Sequence, residues 1–505
     1  MHLWHTSDSS FRLMKRNMSC QKLFSPVKKI VAGSRALILH PVRHNNWRIR
    51  LFFWWILCIL SFVALSSITT PSFAAPVGWA AIYGEVNAET AQTIRQTSDG
   101  GYIVAGETKS FDTAGKEIID SLVLKLGSDG TVEWQKSYGG AGWDWANSLQ
   151  QTDDGGYIVA GMTLSFGAGS RDFWVFKLRH DGTVEWQKTY GGDDWDEAIS
   201  IQQTSDKGYI VAGMTGSFGA GEFDFLVLKL RPNGTVEWQK TYGGIKEEQA
   251  RSIQQTSDGG YIVAGMTRSF GAGAYDFLVL KLRPNGTVEW QKTYGGDIED
   301  WSASIRQTSD GGYIVAGMTT SFNTGGGDAW VLKLRPDGTV EWQKTYGGSD
   351  ADWAFSIQQT SDEGYVTAGW TTSFNAEDKE IRNCSVLKLR PDGDVEWRKT
   401  YGRGAERAES IQQTDDGGYI VAGWTAYFGT EDSGIWVFKL RPDGAIDPSC
   451  DFINETNVSG MDSNAIILDS SASVRDSNAN PQDSSATVRD TNVSTNILCA
   501  STNVE

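Results

Sequence analysis

Residues 196–213 read DEAISIQQTSDKGYIVAG, and residues 226–244 read LVLKLRPNGTVEWQKTYGG. Apolar and polar side chains alternate in both stretches, and the alternation stops at Asp-Lys-Gly and at Asn-Gly. Alternation between such residues is typical of β-hairpins, because glycine and asparagine accept the positive φ of tight turns. The pattern predicts four strands in this segment, over residues 200–204, 209–215, 224–230 and 235–240.

The four-stranded segment recurs seven times along the chain. One marker is the tryptophan of a Val-x-Trp motif, found at Trp79, Trp134, Trp186, Trp238, Trp290, Trp342 and Trp397. A second marker is the tyrosine of Gly-Tyr-Ile or Gly-Tyr-Val, found at Tyr102, Tyr157, Tyr209, Tyr261, Tyr313, Tyr365 and Tyr419. Four-stranded units of about 50 residues are typical of a β-propeller. Because no window shows a convincing amphipathic helix, the sequence predicts an all-β chain.

The two ends of the repeat complement each other. It begins with an isolated fourth strand at residues 77–83 and ends after three strands, near Gly444. Three C-terminal strands and one N-terminal strand complete a seventh blade, whereas an open solenoid would leave unpaired edges at both ends. The sequence therefore predicts a closed seven-bladed propeller over residues 75–444.

The repeated motifs resemble a known family. Units of the form Asp-x-Ala-x-Ser-Ile-Gln-Gln-Thr-x-Asp-Gly-Gly-Tyr-Ile-Val-Ala-Gly, followed by Leu-Lys-Leu-x-x-Asp-Gly-Thr-Val-x-Trp-x-Lys-Thr-Tyr-Gly-Gly, are similar to the SBBP repeats of bacterial and archaeal exported proteins. The resemblance covers residues 77–444. It implies a secreted or surface-displayed seven-bladed propeller and no particular activity, since a fold does not give a function.

The first 74 residues have the features of an export signal. They contain ten lysines and arginines, then an apolar run from Leu51 to Ile68, and they end in Ser-Phe-Ala at 72–74. A basic region, an apolar region and a small-x-small site predict a cleaved secretory signal, with an uncleaved membrane anchor as the alternative. We expect a secreted, cell-surface or periplasmic protein that meets the membrane only if the signal remains.

The chain without this segment is strongly acidic. It keeps 35 basic and 61 acidic side chains, a net charge of about −26. Such a surface repels nucleic acid. We expect a monomer whose partner is an unknown protein or glycan.

Residues 445–505 form a Ser/Asn/Asp/Thr-rich tail with a period of seven, marked by Asp462, Asp469, Asp476, Asp483 and Asp490. The tail lacks coiled-coil seams and predicts either a small β-element or a disordered spacer. Cys450 and Cys499 bracket it, so we predict a disulfide between them, with Cys384 free.

Histidine counting argues against nucleophilic catalysis. Four of the five histidines precede residue 75, which leaves His180 without a second partner for a triad or a metal. We predict no catalytic residue and no metal site, although a ring of acids could attract a calcium ion.

The third-strand lysines (Lys125, Lys177, Lys229, Lys281, Lys333, Lys388 and Lys439) are expected to be solvated.

Each unit carries an acid four residues before the Ser or Thr that opens strand one. These acids are Glu89, Asp144, Asp196, Glu248, Asp300, Asp352 and Glu406. They lie on the face of the longer loops, and a turn-capping role is the simplest interpretation because a function rarely needs seven copies. A second set precedes strand three, where a turn role is again expected: Asp120, Asp172, Asp224, Asp276 and Asp328.

Tryptophans that do not recur lie in the loops beside these acids. A tryptophan beside acids can bind sugar rings or peptide side chains, while packing between blades is the alternative. The candidate ligand-binding residues are Trp145, Trp301 and Trp353 with Asp144, Asp196, Asp300 and Asp352. The turns of the opposite face are expected to be too short and too uniform to form a selective pocket.

The sequence favours a binding or scaffolding propeller over an enzyme. A glycan-processing enzyme that uses two carboxylates is the alternative, since a pair of acids suffices for that chemistry. A quinone-cofactor dehydrogenase is weighed because Pro-Asp-Gly-Thr-Val-Glu-Trp faintly resembles the docking motif of eight-bladed propellers. Seven units and no adjacent cysteine pair argue against it.

Overall fold

The structure is a computed structural model. It describes residues 78–447, except 85–87, 112, 323–324, 375–379 and 427–432, together with Cys450 and seven strands of the tail. The chain divides into two units, Met1–Ser72 and Phe73–Glu505, and the predicted export signal lies outside the described residues. No helix among the described residues is long and apolar enough to cross a membrane.

The described chain is all β, and its strands form seven blades with the fourth strand outermost in the repeat. Blade 1 contains β2 (Glu89–Gln96), β3 (Tyr102–Phe111), β4 (Glu117–Leu126) and β5 (Val132–Gly139). Blade 2 contains β6 (Asp144–Gln151), β7 (Tyr157–Thr163), β8 (Asp172–Leu178) and β9 (Val184–Tyr190). Blade 3 contains β10 (Asp196–Gln203), β11 (Tyr209–Thr215), β12 (Asp224–Leu230) and β13 (Val236–Gly243). Blade 4 contains β14 (Glu248–Gln255), β15 (Tyr261–Thr267), β16 (Asp276–Leu282) and β17 (Val288–Gly295). Blade 5 contains β18 (Asp300–Gln307), β19 (Tyr313–Thr319), β20 (Asp328–Leu334) and β21 (Val340–Tyr346). Blade 6 contains β22 (Asp352–Gln359), β23 (Tyr365–Phe374), β24 (Glu380–Leu389) and β25 (Val395–Tyr401). Blade 7 contains β26 (Glu406–Gln413), β27 (Tyr419–Thr425), β28 (Gly434–Leu440) and β1 (Trp79–Tyr83).

The ring closes as the two half-repeats predict. β1 pairs antiparallel with β28, from Trp79 opposite Lys439 to Tyr83 opposite Ile435. All five residues of β1 are buried. The seven-bladed all-β fold is therefore confirmed, with the first and last parts of the repeat in one sheet.

The two repeat markers pack neighbouring blades together. Each marker tryptophan meets the marker tyrosine of the next blade at about 6 Å between ring centroids, as Trp238 does with Tyr261 at 5.9 Å. The tyrosine that ends each fourth strand donates a hydrogen bond to the Asp-Gly or Asn-Gly turn of the next blade. Tyr83 bonds the Gly130 carbonyl at 2.6 Å and so joins blade 7 to blade 1. The Val-x-Trp tryptophans are therefore packing residues between neighbouring blades.

The prediction for the third-strand lysines is wrong. Lys281 is only 3% exposed, and its Nζ lies 2.7 Å from the Asp258 carboxylate in the turn between strands one and two. The same ion pair between a buried lysine and a half-exposed aspartate recurs in all seven blades. Each lysine extends along the apolar blade interior and reaches a carboxylate at its edge, because a buried ammonium needs a charged partner.

The tail adds a fifth strand to every blade. Its strands are β29 (Ile453–Glu455), β30 (Met461–Asp462), β31 (Ile466–Asp469), β32 (Ser473–Asp476), β33 (Gln482–Asp483), β34 (Thr487–Asp490) and β35 (Thr495–Ala500). They pair with the fourth strands of blades 6, 5, 4, 3, 2, 1 and 7 in that order. The tail therefore runs around the ring in the direction opposite to the blades, about one heptad per blade. Neither a separate β-element nor a spacer describes it.

The pairing register gives the heptad a physical meaning. Asp476 lies opposite Lys240 of β13, and Asp469 lies opposite Lys292 of β17. The same acid-opposite-lysine register occurs on β5, β9, β21 and β25. Opposite charges on directly opposed residues stabilise a pair of strands.

The cysteines fall into two environments. Cys384 is a free, fully buried thiol in blade 6. Cys450 is buried in a core cluster that includes Ala80, and Ala80 is the backbone partner of Cys499. Cys450 is disulfide-bonded, with a partner whose side chain lies outside the described residues. Its pairing with Cys499 stays a prediction.

Candidate ligand-binding site at the channel mouth

The inner strand of each blade contains a β-bulge. In β10, Ala198 pairs with Gly213 and Ser200 pairs with Ala212, so Ile199 is the extra residue. A bulge turns a side chain away from its regular direction. The equivalent residues of the seven blades are Gln92, Asn147, Ile199, Arg251, Ala303, Phe355 and Glu409.

These seven bulge residues line both of the larger cavities of the central channel. The mouth pocket has a volume of about 490 Å³ and the channel cavity about 420 Å³. The other residues of the mouth pocket are Glu197, Met266, Trp301, Ser302, Trp353, Ala354, Trp370, Arg382 and Arg407. The positions directly before and after the bulge carry only alanine, serine or threonine in all seven blades. The bulge position carries seven different amino acids, so the pocket wall is asymmetric.

One wall of the mouth pocket is aromatic. The rings of Trp301 and Trp353 meet edge to face at 5.5 Å, and Trp353 stacks on Trp370 at 5.8 Å. Two guanidinium groups border this wall, since Arg382 lies 5.0 Å from the Trp370 ring and Arg407 lies 4.1 Å from the Phe355 ring. Trp301 and Trp353 are half-buried, whereas Trp370 is buried behind Trp353. Half-buried aromatic rings can stack on a flat apolar surface of a ligand.

Charged and amide groups complete the pocket. Glu409 forms an ion pair with Arg407, and Asn147 donates a hydrogen bond to Glu197 at 3.0 Å. Burial raises the pKa of Glu409 above its usual value, although the charges of Arg407 and Arg251 act in the opposite direction. Arg251 lines the channel, and although its side chain reaches solvent there, enclosure by the surrounding protein lowers its pKa. The pocket therefore offers donors, acceptors and both signs of charge.

The acids that lie four residues before the first-strand Ser or Thr, which we call the ring acids, are bonded to groups of their own loops and blades. Asp300 is fully buried, accepts from the Gly296 N–H at 2.8 Å and accepts from the Ser321 hydroxyl at 2.8 Å. Asp144 and Asp196 have equivalent bonds, and Asp352 is ion-paired with the buried Arg398. These bonds join the loop before strand one to the loop after strand two, as the turn-capping interpretation predicts. Ligand binding by these four aspartates stays a prediction, and their burial does not favour direct contact.

The second set of acids lies beside the first. Asp276 accepts from the Gly273 N–H at 3.1 Å, which agrees with a turn role. Burial, and then the charge of Asp300, raise the pKa of Asp276 to about 6. Asp172 has the same environment beside Asp196, and its pKa is also about 6. Among the described residues no group of three acids, histidines or cysteines could hold a metal ion.

The predicted tryptophans separate into two clusters. Trp301 and Trp353 are neighbours in the mouth pocket, at the second residue of β18 and β22 rather than in loops. Trp145 is not part of this pocket. It stacks on Trp143 at 6.5 Å, and Arg171 lies 5.5 Å from its ring. The structure thus groups only two of the three candidates.

Sequence reasoning missed the bulge residues and the other end of the channel. When the seven repeats are aligned, Arg251, Phe355 and Glu409 share one position, and the amino acid at this position differs in every repeat. The positions directly before and after it carry nearly the same amino acid in each repeat. Comparing the aligned repeats position by position could have found these residues. At the short-turn end of the channel, the ends of the inner strands line a cavity of about 330 Å³. The turns themselves do not line this cavity, so the expectation about the turns stays a prediction.

Comparisons with known proteins show no family. No family model matches the chain. Among curated proteins, it is 26% identical over 220 residues to the regulatory protein FlaEY of Caulobacter vibrioides, across 37% of this chain and 23% of that protein. The chain therefore matches less than a quarter of that relative's length. Among solved structures, a crystal structure of a GH43_12 retrieved from capybara gut metagenome aligns with 72% of this chain and 99% of its own chain, at 8% identity and a TM-score of 0.23. A TM-score this low does not establish a structural relationship.

Proposed function

We propose that this protein is a secreted or surface-displayed propeller that binds a ligand, without catalysis, in the mouth pocket. The observation that carries the proposal is the aromatic wall of Trp301, Trp353 and Trp370 facing amide and charged side chains. A concave site with apolar surface and a few polar groups is typical of small-molecule recognition. The SBBP resemblance and the predicted export signal support the location.

A hydroxylated ring, as in a glycan, fits this chemistry best. One face of a sugar ring is apolar and stacks on indole, while its hydroxyls accept from and donate to groups such as Gln92, Asn147 and Glu197. The pocket is about 490 Å³ in volume and lies at an open end of the channel. Such a volume accommodates one or two sugar rings.

The glycan-processing enzyme remains the second candidate, because Glu197 and Glu409 line one pocket and the pKa of Glu409 is raised by burial. A raised carboxyl pKa is what a general acid requires. The ion pair with Arg407 favours the charged form of Glu409 instead. We therefore place binding first.

A glycan array, followed by titration of any captured glycan, tests the proposal. Removing one stacked indole face costs on the order of 1–2 kcal/mol, so the double variant Trp301→Ala, Trp353→Ala should bind at least about tenfold more weakly. The matched control is Ile245→Ala, Ile298→Ala, which removes exposed apolar side chains outside the pocket. Equal weakening by both pairs would place the ligand elsewhere.

The same glycans distinguish the enzyme from the binding protein. We expect each glycan to be recovered intact after incubation, as judged by mass spectrometry. Cleavage that disappears in Glu409→Gln would replace our proposal with the glycan-processing alternative.

A further inference from the structure

The end of the channel opposite the mouth pocket is lined by a different set of residues. The seventh residue of strand one faces the channel there, and five blades carry glutamine at this position. Blades 1 and 5 carry Arg95 and Arg306 instead. Both arginines line the cavity of about 330 Å³, which we call the arginine cavity.

The glutamines of the arginine cavity present hydrogen-bond donors. The Oε1 atoms of Gln254, Gln358 and Gln412 accept from a backbone N–H of the following blade at 2.7, 3.0 and 2.8 Å. A backbone N–H needs an oxygen acceptor, so these bonds determine how each amide is oriented. Among the described residues, no acceptor satisfies the three Nε2 groups. They remain available to a ligand or to water in the channel.

The two arginines also have N–H groups that no protein acceptor uses within the described part of the chain. One terminal nitrogen of Arg95 donates to the Ile94 carbonyl at 2.7 Å and to the Ser410 hydroxyl at 3.0 Å. Arg306 repeats this arrangement with Ile305 and Ser252, at 2.7 and 2.9 Å. A guanidinium has five N–H donors, so each arginine retains several.

No carboxylate neutralises these guanidinium groups within the described part of the chain. The arginine cavity contains no acidic side chain, although the whole protein has a net charge of −17. Both arginines also line the channel cavity, where the acid is Glu409, and Glu409 is ion-paired with Arg407. Burial and the charge of Arg306 lower the pKa of Arg95 to about 10, which still leaves it protonated at neutral pH. Two positive charges that repel each other in an enclosed site are unfavourable unless an anion joins them.

We propose that the arginine cavity binds a small, multiply charged oxyanion of the phosphate or sulfate type, held between Arg95 and Arg306 and by the glutamine Nε2 groups. Guanidinium groups match such oxygens in geometry and charge, and these bonds are stronger than neutral ones. The arginine cavity shares no lining residue with the mouth pocket, so the proposal does not depend on glycan binding there.

The test is thermal unfolding of the full chain with increasing inorganic phosphate or sulfate, at ionic strength held constant with sodium chloride. A bound anion stabilises the folded state, so the Tm should rise to a plateau, by on the order of 1–2 °C. The variant Arg95→Gln, Arg306→Gln places at both positions the residue that the other five blades carry. It should lose this rise, and its Tm without phosphate should equal or exceed that of the original protein, because the repulsion is gone.

Two further variants make the result decisive. Arg231→Gln, Arg283→Gln removes two exposed arginines that line neither the arginine cavity nor the mouth pocket, and it should keep the full rise in Tm. Arg95→Lys, Arg306→Lys keeps the charges without the guanidinium geometry and should keep a weaker rise, even if the glutamine variant folds poorly. The proposal is overturned if the original protein shows no saturable rise, or if the glutamine variant shows the same one.

Discussion

The inner and outer edges of the seven blades differ in what they keep constant. At the inner edge, the bulge position of strand one carries seven different amino acids, from Ala303 to Arg251. At the outer edge, every fourth strand keeps its tryptophan and tyrosine, and six of the seven place a lysine opposite a tail acid. Every outer edge must be covered in the same way, so one solution recurs. Different positions of a single channel can meet different parts of one ligand, so the inner edge is free to vary.

The largest effect is expected from removing an outer strand. Deleting residues 75–84 takes away β1, leaves β28 with an unpaired edge and removes the bond from Tyr83 to Gly130. All five residues of β1 are buried, so the loss is about 5 kcal/mol or more. Thermal unfolding by circular dichroism should show a drop in Tm of about 10 °C or more, or no cooperative transition. The control is the chain that starts at residue 75, and equal Tm values would contradict a closed ring.

A smaller effect is expected where the tail covers the outer edge. Lys240→Glu with Lys292→Glu places like charges opposite Asp476 and Asp469. Each cross-strand pair contributes roughly 0.2–1 kcal/mol, so the tail should open more often while the ring stays folded. Hydrogen exchange should become faster in residues 466–476 and remain unchanged in the blade cores.

Reversing the partner charges provides the control for the tail. Adding Asp469→Lys and Asp476→Lys to the same protein should restore slow exchange. Lys116→Glu with Lys246→Glu changes the net charge equally at exposed loop positions and should leave exchange in the tail unaltered. If this loop variant also accelerates it, net charge rather than register holds the tail.

The smallest effect concerns the carboxyl pairs beside the inner edge. The pKa of Asp276 is about 6 in the folded protein and lower in the unfolded chain, so the folded state binds this proton more tightly. Its stabilising effect is present below about pH 4 and is lost as the pH rises through 6. Asp276→Asn should therefore raise the free energy of unfolding at pH 8 by on the order of 1 kcal/mol, with no gain near pH 4. Urea unfolding at the two pH values measures this.

Asp258→Asn gives the opposite sign as a control. Burial alone would raise the pKa of Asp258, but its bond to Lys281 lowers it to about 2, so its charge stabilises the fold at neutral pH. Its amide variant should lose stability at pH 8 and approach the original protein near pH 2. A loss at pH 8 in both variants would mean that Asp276 acts only through its turn bonds.

Much of the framework could be read from local patterns. Spaced tryptophans and tyrosines, paired with Asp-Gly and Asn-Gly turns, predicted seven four-stranded blades, and complementary half-repeats predicted the closure at Trp79–Tyr83. These features depend on residues near each other in sequence or on strict repetition. The third-strand lysines were assigned wrongly because their burial depends on an Asp one hairpin away, as Lys281 depends on Asp258.

The sequence by itself determined the blade count, the turns and the position of the ring acids, because each unit folds by the same local rules. Only the tertiary structure decided that Trp301 joins Trp353 and Trp370 while Trp145 does not, since residues at the same position in different blades lie at different places around one channel. It also decided that the heptads of the tail match the outer edges of the blades, and that Arg95 and Arg306, far apart in the sequence, line one cavity. Closing the ring creates these neighbours, and no local pattern contains them.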